Sequence, residues 1–149
     1  MKKILLGLFL LSPLLSQAQK VNYDKKTNVV TVDGVKSFNI VRDGCGFMEA
    51  ECFFDVMDNE GKREIRITYK TFKDMRTADK SNPEGTIGYG EFVFFATKQK
   101  AQTRLFYTKA DKMAEFVAKN KLFANGKLDP KAVDDFVLVY GMSIKPECN

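Results

Sequence analysis

Hydrophobic and polar positions alternate from Glu64 to Lys70, with Ile65, Ile67 and Tyr69 on one side and Glu64, Arg66, Thr68 and Lys70 on the other. That period of two predicts a strand with one buried and one wet face. Asp58-Asn59-Glu60-Gly61 precedes it and supplies turn formers with a glycine suited to positive φ, so the stretch from Glu51 to Lys70 reads as a hairpin. In its first arm Cys52, Phe54 and Val56 share a face, opposite Phe53, Asp55 and Met57. Upstream, Val21–Tyr23 and Asn28–Val32 read as short strands, and Asp33-Gly34 as a two-residue hairpin turn into Val35–Arg42. Downstream, Glu91–Thr97 places Phe92, Phe94 and Ala96 on one face and Val93, Phe95 and Thr97 on the other. Such a strand is expected to be covered on both sides or to lie at an oligomer contact. Lys98–Ala101 reads as a polar turn and Gln102–Tyr107 as the next strand.

The period then lengthens. Thr108 is placed to cap a helix in which Ala110, Met113, Phe116 and Val117 share a face, with Glu115 and Lys119 paired outside. Asn125-Gly126 marks a turn, and Asp129-Pro130 opens a second helix carrying Val133, Phe136, Val137 and Tyr140 on one side. Strands first and helices last predict an α+β fold: an antiparallel β-meander sheet with two C-terminal helices packed on one face.

One segment breaks the pattern. Lys73 to Gly90 is rich in Asp, Ser, Asn, Pro and Gly and poor in apolar residues, so it reads as a long connection, either a binding loop or a disordered connector. Asp79, Ser81, Asn82 and Tyr89 are its candidate binding residues. Gly85-Thr86-Ile87-Gly88-Tyr89-Gly90 has a phosphate-loop look, but its glycine spacing is reversed and a strand follows where a helix should. It reads as a flexible entry to Glu91.

The N-terminus bears on location. Lys2 and Lys3, the apolar Ile4–Leu15 and the small-x-small Ser16-Gln17-Ala18 form a signal peptide cleaved after Ala18. The apolar run is shorter than the ~20 residues a membrane span needs, and no cysteine follows for lipid attachment, so no membrane anchor is expected after cleavage. Residues 19–149 then form one domain, periplasmic or secreted. The chain has three cysteines, and in an oxidising compartment Cys45–Cys52 is the favoured disulfide, closing a small loop between two strands. Cys148 is then free or pairs between chains. A clip from Cys148 to one of the other two, or three reduced thiols, are the alternatives.

Composition narrows the chemistry. The chain has no histidine, which excludes Ser-His-Asp, Cys-His and histidine–metal arrangements, and no CxxC spacing offers zinc ligands. No metal or cofactor is expected. Glu49 with Glu51, and Asp134 with Asp135, are the paired carboxylates; neither pair sits in a setting suited to acid–base work. The formal net charge of +5 includes the two leader lysines, and the remainder is too evenly mixed to imply a nucleic-acid partner. Lys98, Lys100, Arg104, Lys109 and Lys112 near Phe106 and Tyr107 read as a lysine-defended strand edge. Phe53, Met57, Phe95 and Phe106 are left over by one-sided packing. They serve either as extra core or as an interface, and Phe95 and Phe106 join the candidate binding residues.

The leader ending in Ala18-Gln19, followed at once by a strand, resembles the small exported proteins of Bacteroidetes bacteria that carry no assigned function. The resemblance implies an envelope protein and transfers no site residue. The reading that emerges is an exported, non-enzymatic binding module for a protein or cell-envelope component. The alternative is a carrier of a small apolar or lipid-like ligand held between sheet and helices.

Overall fold

The computed structural model describes residues 19–44, 52–142 and 144. The leader, Cys45, Cys148 and the Glu49–Glu51 pair lie outside the described residues. Strands β1 (Val21–Asp24), β2 (Val29–Val32), β3 (Val35–Asp43), β4 (Phe53–Met57), β5 (Arg63–Lys73), β6 (Thr86–Phe94) and β7 (Gln99–Thr103) are followed by helix α1 (Ala110–Lys119). A short hairpin of β8 (Phe123–Ala124) and β9 (Lys127–Leu128) leads to helix α2 (Pro130–Tyr140). The seven strands form one sheet in chain order with every neighbour antiparallel. With both helices on it, this is the α+β meander that the alternation predicts.

The hairpins form where the backbone tolerates positive φ. Asp33 and Gly34 (φ 51° and 83°) turn β2 into β3, and Asn125 and Gly126 (φ 51° and 79°) turn β8 into β9. Both are the Asx-Gly pairs that such two-residue turns select. The second is docked as well as turned: Asn59 of the β4–β5 turn donates its backbone N–H to the Gly126 carbonyl at 2.9 Å, and Glu60 pairs with Lys127 at 2.9 Å.

One face of the sheet is the core. Val30, Phe38, Ile40, Phe54, Val56, Ile65, Ile67, Phe92 and Phe94 are fully buried there against Met113, Val117, Leu122 and Val133. Helix α1 lies against β1 and β3, and α2 against β7. The buried residues of α1 include Met113, Phe116 and Val117, the face its period assigns. In α2 Val133 and Phe136 are buried, the Asp129 side chain accepts from the Lys131 N–H, and Pro130 opens the helix.

The structure corrects several details. Helix α1 begins after Lys109, not Thr108, and Lys109 makes no side-chain capping bond. The ion pair on its surface is Lys112–Glu115 at 3.0 Å instead of Glu115–Lys119. The expected strand Glu91–Thr97 is shifted: β6 is Thr86–Phe94, the turn falls at residues 95–98, and Gln99 already belongs to β7. That turn closes on Lys98 at φ 57°, a conformation that lysine does not advertise. The strict alternation at Glu64 also fails. Met57 pairs with Arg63 and Val56 with Ile65, so Glu64 is the extra residue of a β-bulge and is only 5% exposed.

The largest correction concerns Lys73–Gly90. Its last third is strand, because Thr86 to Gly90 pair with Lys73 to Tyr69. Pairing of β4 with β5 stops at Phe53–Thr68, and that of β6 with β7 at Gly90–Thr103. Beyond those points β5 and β6 continue as a two-stranded arm. Its glycines have a packing role: a Cβ on Gly88 would collide with the ring of Tyr69, and one on Gly90 would come within 3.1 Å of Phe106. Tyr69 and Phe106 pack as a tilted pair with ring centroids 5.0 Å apart, so aromatic rings cover the bare backbone of β6. Gly88→Ala should therefore cost roughly 1 kcal/mol in denaturant unfolding by displacing Tyr69 from that contact. In a Tyr69→Ala background most of the penalty should disappear; equal losses in both backgrounds would refute the contact.

Candidate functional site

The helices cover one face of the sheet, and the opposite face carries the best-defined constellation of side chains. Register lines up Asp55, Arg66, Val93 and Lys100 across β4 to β7, with Phe53, Thr68, Glu91 and Gln102 as the next row. Arg66 grips Asp55 with both prongs, Nε to Oδ1 and Nη2 to Oδ2, each at 2.8 Å. Arg63 adds a longer contact to the same carboxylate at 3.3 Å. The Arg66 guanidinium lies 4.4 Å above the centre of the Phe53 ring, and that of Arg63 lies 5.5 Å from Phe95. In the second row Lys70 Nζ meets Glu91 Oε1 at 2.7 Å. Burial alone would raise the Glu91 carboxyl, but the Lys70 hydrogen bond and the Lys70 and Lys100 charges outweigh it and hold the pKa below the ordinary value. The carboxylate stays ionised.

This arrangement fixes side chains more than it stabilises the fold. A half-exposed ion pair and an exposed cation–π contact are each worth at most about 1 kcal/mol. They hold long side chains in one geometry, a preorganisation that lowers the entropy a docking event on such a face would cost. Arginine and aromatic side chains are the residues that protein interfaces favour.

The tip of the β5–β6 arm is ordered by its own hydrogen bonds. Asp74 caps a 3-10 turn, Met75–Thr77, and its N–H donates to the Gly85 carbonyl at 2.8 Å. Asp79 Oδ1 accepts from the Ser81 N–H and hydroxyl, both at 2.7 Å, and from the Asn82 N–H at 2.8 Å. The Ser81 hydroxyl bond, then the two backbone bonds, hold the Asp79 carboxyl below its usual range. The Asn82 side chain brackets Thr86, donating to its carbonyl at 3.0 Å and accepting its N–H at 2.9 Å. The disordered-connector expectation is thus replaced by a built tip. Asp79 and Asn82, expected as binding residues, each commit their Oδ1 to shaping it.

The structure does not gather the expected binding residues into one site. Asp79, Ser81 and Asn82 crown the arm. Tyr89 is buried in β6 beside Phe72 at 6.0 Å. Phe95 is 44% exposed just past the other end of β6, about 30 Å from Thr86 at strand rise. Phe106 lies on the core side, 5.9 Å from Phe54, and belongs with the packing. Of these six, Phe95 borders the Arg66 constellation. The Asp55–Arg66–Phe53 cluster escaped sequence reasoning because only the pairing register, bulge included, sets Asp55 opposite Arg66; their shared parity around the Asp58–Gly61 turn was the available signal.

Helices and sheet meet directly, with Phe38, Phe54, Phe92, Phe94, Met113 and Leu122 filling the space between them. The clefts that open at the surface include one of about 520 Å³ between the end of α1 and α2 and one of about 550 Å³ at the start of α1. Among the described residues no group of acids and cysteines could hold a metal ion, and no helix is long and apolar enough to cross a membrane. Comparison of the chain with family models, curated proteins and solved structures returned no match.

Proposed function

We propose that this chain is an exported, non-enzymatic binding module that docks a protein of the cell envelope on the outer face of β4–β6. The observation that carries this reading is the Asp55–Arg66–Phe53 cluster, held ready on a sheet face that the helices leave open. Export rests on the Lys2–Ala18 leader and its resemblance to exported Bacteroidetes proteins. A Cys45–Cys52 disulfide fits the same setting, because Asp43 stands opposite Phe53 and the two cysteines follow and precede that pair closely in the sequence. The absence of catalysis is favoured by the direction in which the fold displaces its titrating groups. Asp24, Asp74, Asp79 and Glu91 move down, while Tyr23, Lys62, Arg76, Lys112 and Lys127 move up. All move away from neutrality, whereas acid–base catalysts are tuned towards it. The apolar-carrier reading is less favoured, since the sheet–helix interface is filled with side chains.

The test is affinity capture from an envelope extract with the mature protein and a Phe53→Ala/Arg66→Glu double variant. The wild type should enrich a defined partner, and the variant should hold it at least tenfold more weakly, about 1.4 kcal/mol, with its melting temperature within a few degrees. A Leu138→Glu variant on the exposed side of α2 should capture as the wild type does. Equal capture by the Phe53/Arg66 variant would reject the face.

A further inference from the structure

The second cleft lies on the helix side of the sheet, away from the Arg66 face, and has a distinct chemistry. Its volume of about 550 Å³ is within the ~300–1,000 Å³ that small-molecule sites occupy. Three segments distant in sequence build its walls. Tyr23 comes from β1, Lys25 and Asn28 from the β1–β2 connection, Arg42 from the end of β3, and Lys109 with Asp111 from the start of α1. Lys25, Arg42 and Lys109 thus line the cleft with Asp111, and Asp24 lies close enough to act on Tyr23. Lys25 and Lys109 make no ion pair among the described residues, so their charge is not consumed within the fold.

Of the polar groups between them, the Asn28 amide is the one left to donate. The Tyr23 hydroxyl donates to Asn28 Oδ1 at 2.9 Å, which occupies the amide oxygen and leaves the Asn28 NH2 as the end able to donate further. Burial, reinforced by the Asp111 and Asp24 charges, pushes the Tyr23 hydroxyl above its ordinary pKa, so it remains a neutral hydrogen-bonding group. Helix α1 starts at this cleft without a side-chain cap, although Thr108 next to it is a residue that caps well. A capping hydroxyl would have occupied the first-turn N–H groups.

We propose that this cleft binds a compact, multiply charged oxyanion of phosphate type. Lys25 and Lys109 supply charge, and the Asn28 amide supplies a directed donor. Asp111 sets an upper limit on affinity by facing the same space. The group is either a free phosphate or phosphate ester, or the head group of an anionic phospholipid, and the two sources separate experimentally.

Titration of the mature protein with inorganic phosphate at constant ionic strength, followed by amide NMR, should give saturable shifts confined to Asn28, Ala110, Asp111 and their neighbours. Lys25→Glu/Lys109→Glu should weaken phosphate at least tenfold, with Lys25→Gln/Lys109→Gln intermediate should charge reversal disturb folding. Asp111→Asn should tighten binding severalfold, and Lys131→Glu on α2 should change nothing. Co-sedimentation with phosphatidylglycerol vesicles, against pure phosphatidylcholine, then assigns the source. Retention that depends on Lys25 and Lys109 marks a lipid head group; none, with phosphate still bound, marks a soluble ligand. Absence of saturable shifts in the cleft, shifts scattered over all surface lysines, or unchanged affinity in the neutralised variants would overturn the proposal.

Discussion

Replacing Phe92 by alanine should cost about 3–5 kcal/mol, the range for deleting a buried phenylalanine ring, and lower the melting temperature by roughly 10–20 °C. The size follows from the position. Phe92 is fully buried and its ring meets Phe116 of α1 at 5.9 Å, Phe136 of α2 at 5.1 Å and Phe94 of its own strand at 6.5 Å. It ties both helices to β6, next to the sheet's edge strand, so the cavity cannot close by moving one element alone. Against a total stability typically of ~5–15 kcal/mol, such a loss brings the protein near its threshold. Phe95, three residues on, is 44% exposed, and its alanine variant should stay within ~0.5 kcal/mol. Thermal and denaturant unfolding of both variants provide the measurement. Similar losses for the two would mean that the sheet does not bury the face assigned here.

Gly85→Ala should open the arm tip while leaving the rest of the molecule folded. Gly85 sits at φ +59°, and an added Cβ would run into the backbone carbonyl of Asp74. The left-handed conformation alone costs a non-glycine residue about 1 kcal/mol. Because the obstacle is backbone, no rotamer change relieves it. The Asp74 N–H to Gly85 carbonyl bond that shuts the tip at 2.8 Å is the contact that must give. Each 1.4 kcal/mol transferred to the closed tip raises the open population tenfold, and proteolysis follows that population. Trypsin cleavage after Arg76 and Lys80 should accelerate about tenfold or more. The melting temperature should move by only a few degrees, since from Lys70 and Tyr89 outward β5 and β6 show strand pairing only with each other among the described residues. Unchanged cleavage would show that the tip does not depend on this closure. The variant also separates the two surfaces: capture through the Arg66 face should survive it.

Local chemistry made much of this architecture legible. The alternation of Ile65 and Ile67 with Arg66 and Thr68 gave β5 its faces, and Asp33-Gly34 and Asn125-Gly126 gave two turns their conformation, because those pairs reach positive φ cheaply. Asp129-Pro130 placed the start of α2 correctly. The errors fall where a residue takes a conformation its type does not signal. Lys98 adopts the left-handed region at φ 57° because β7 must return in register beside β6, and that moved a strand boundary. The glycines of 85–90 looked like flexibility, but Gly88 and Gly90 are the seats of Tyr69 and Phe106, a requirement set by residues far along the chain.

The candidate sites show the same division. Residue order alone determines that the chain lacks histidine chemistry and builds a meander with helices after it, since these depend on composition and on periods of two and 3.6. Long-range pairing decides which side chains meet. The bulge at Glu64 sets Asp55 opposite Arg66, and the return of α1 against β1 and β3 brings Lys109 to Lys25 and Arg42. Such encounters rest on register and packing between segments tens of residues apart, and no local pattern encodes the sum of those contacts.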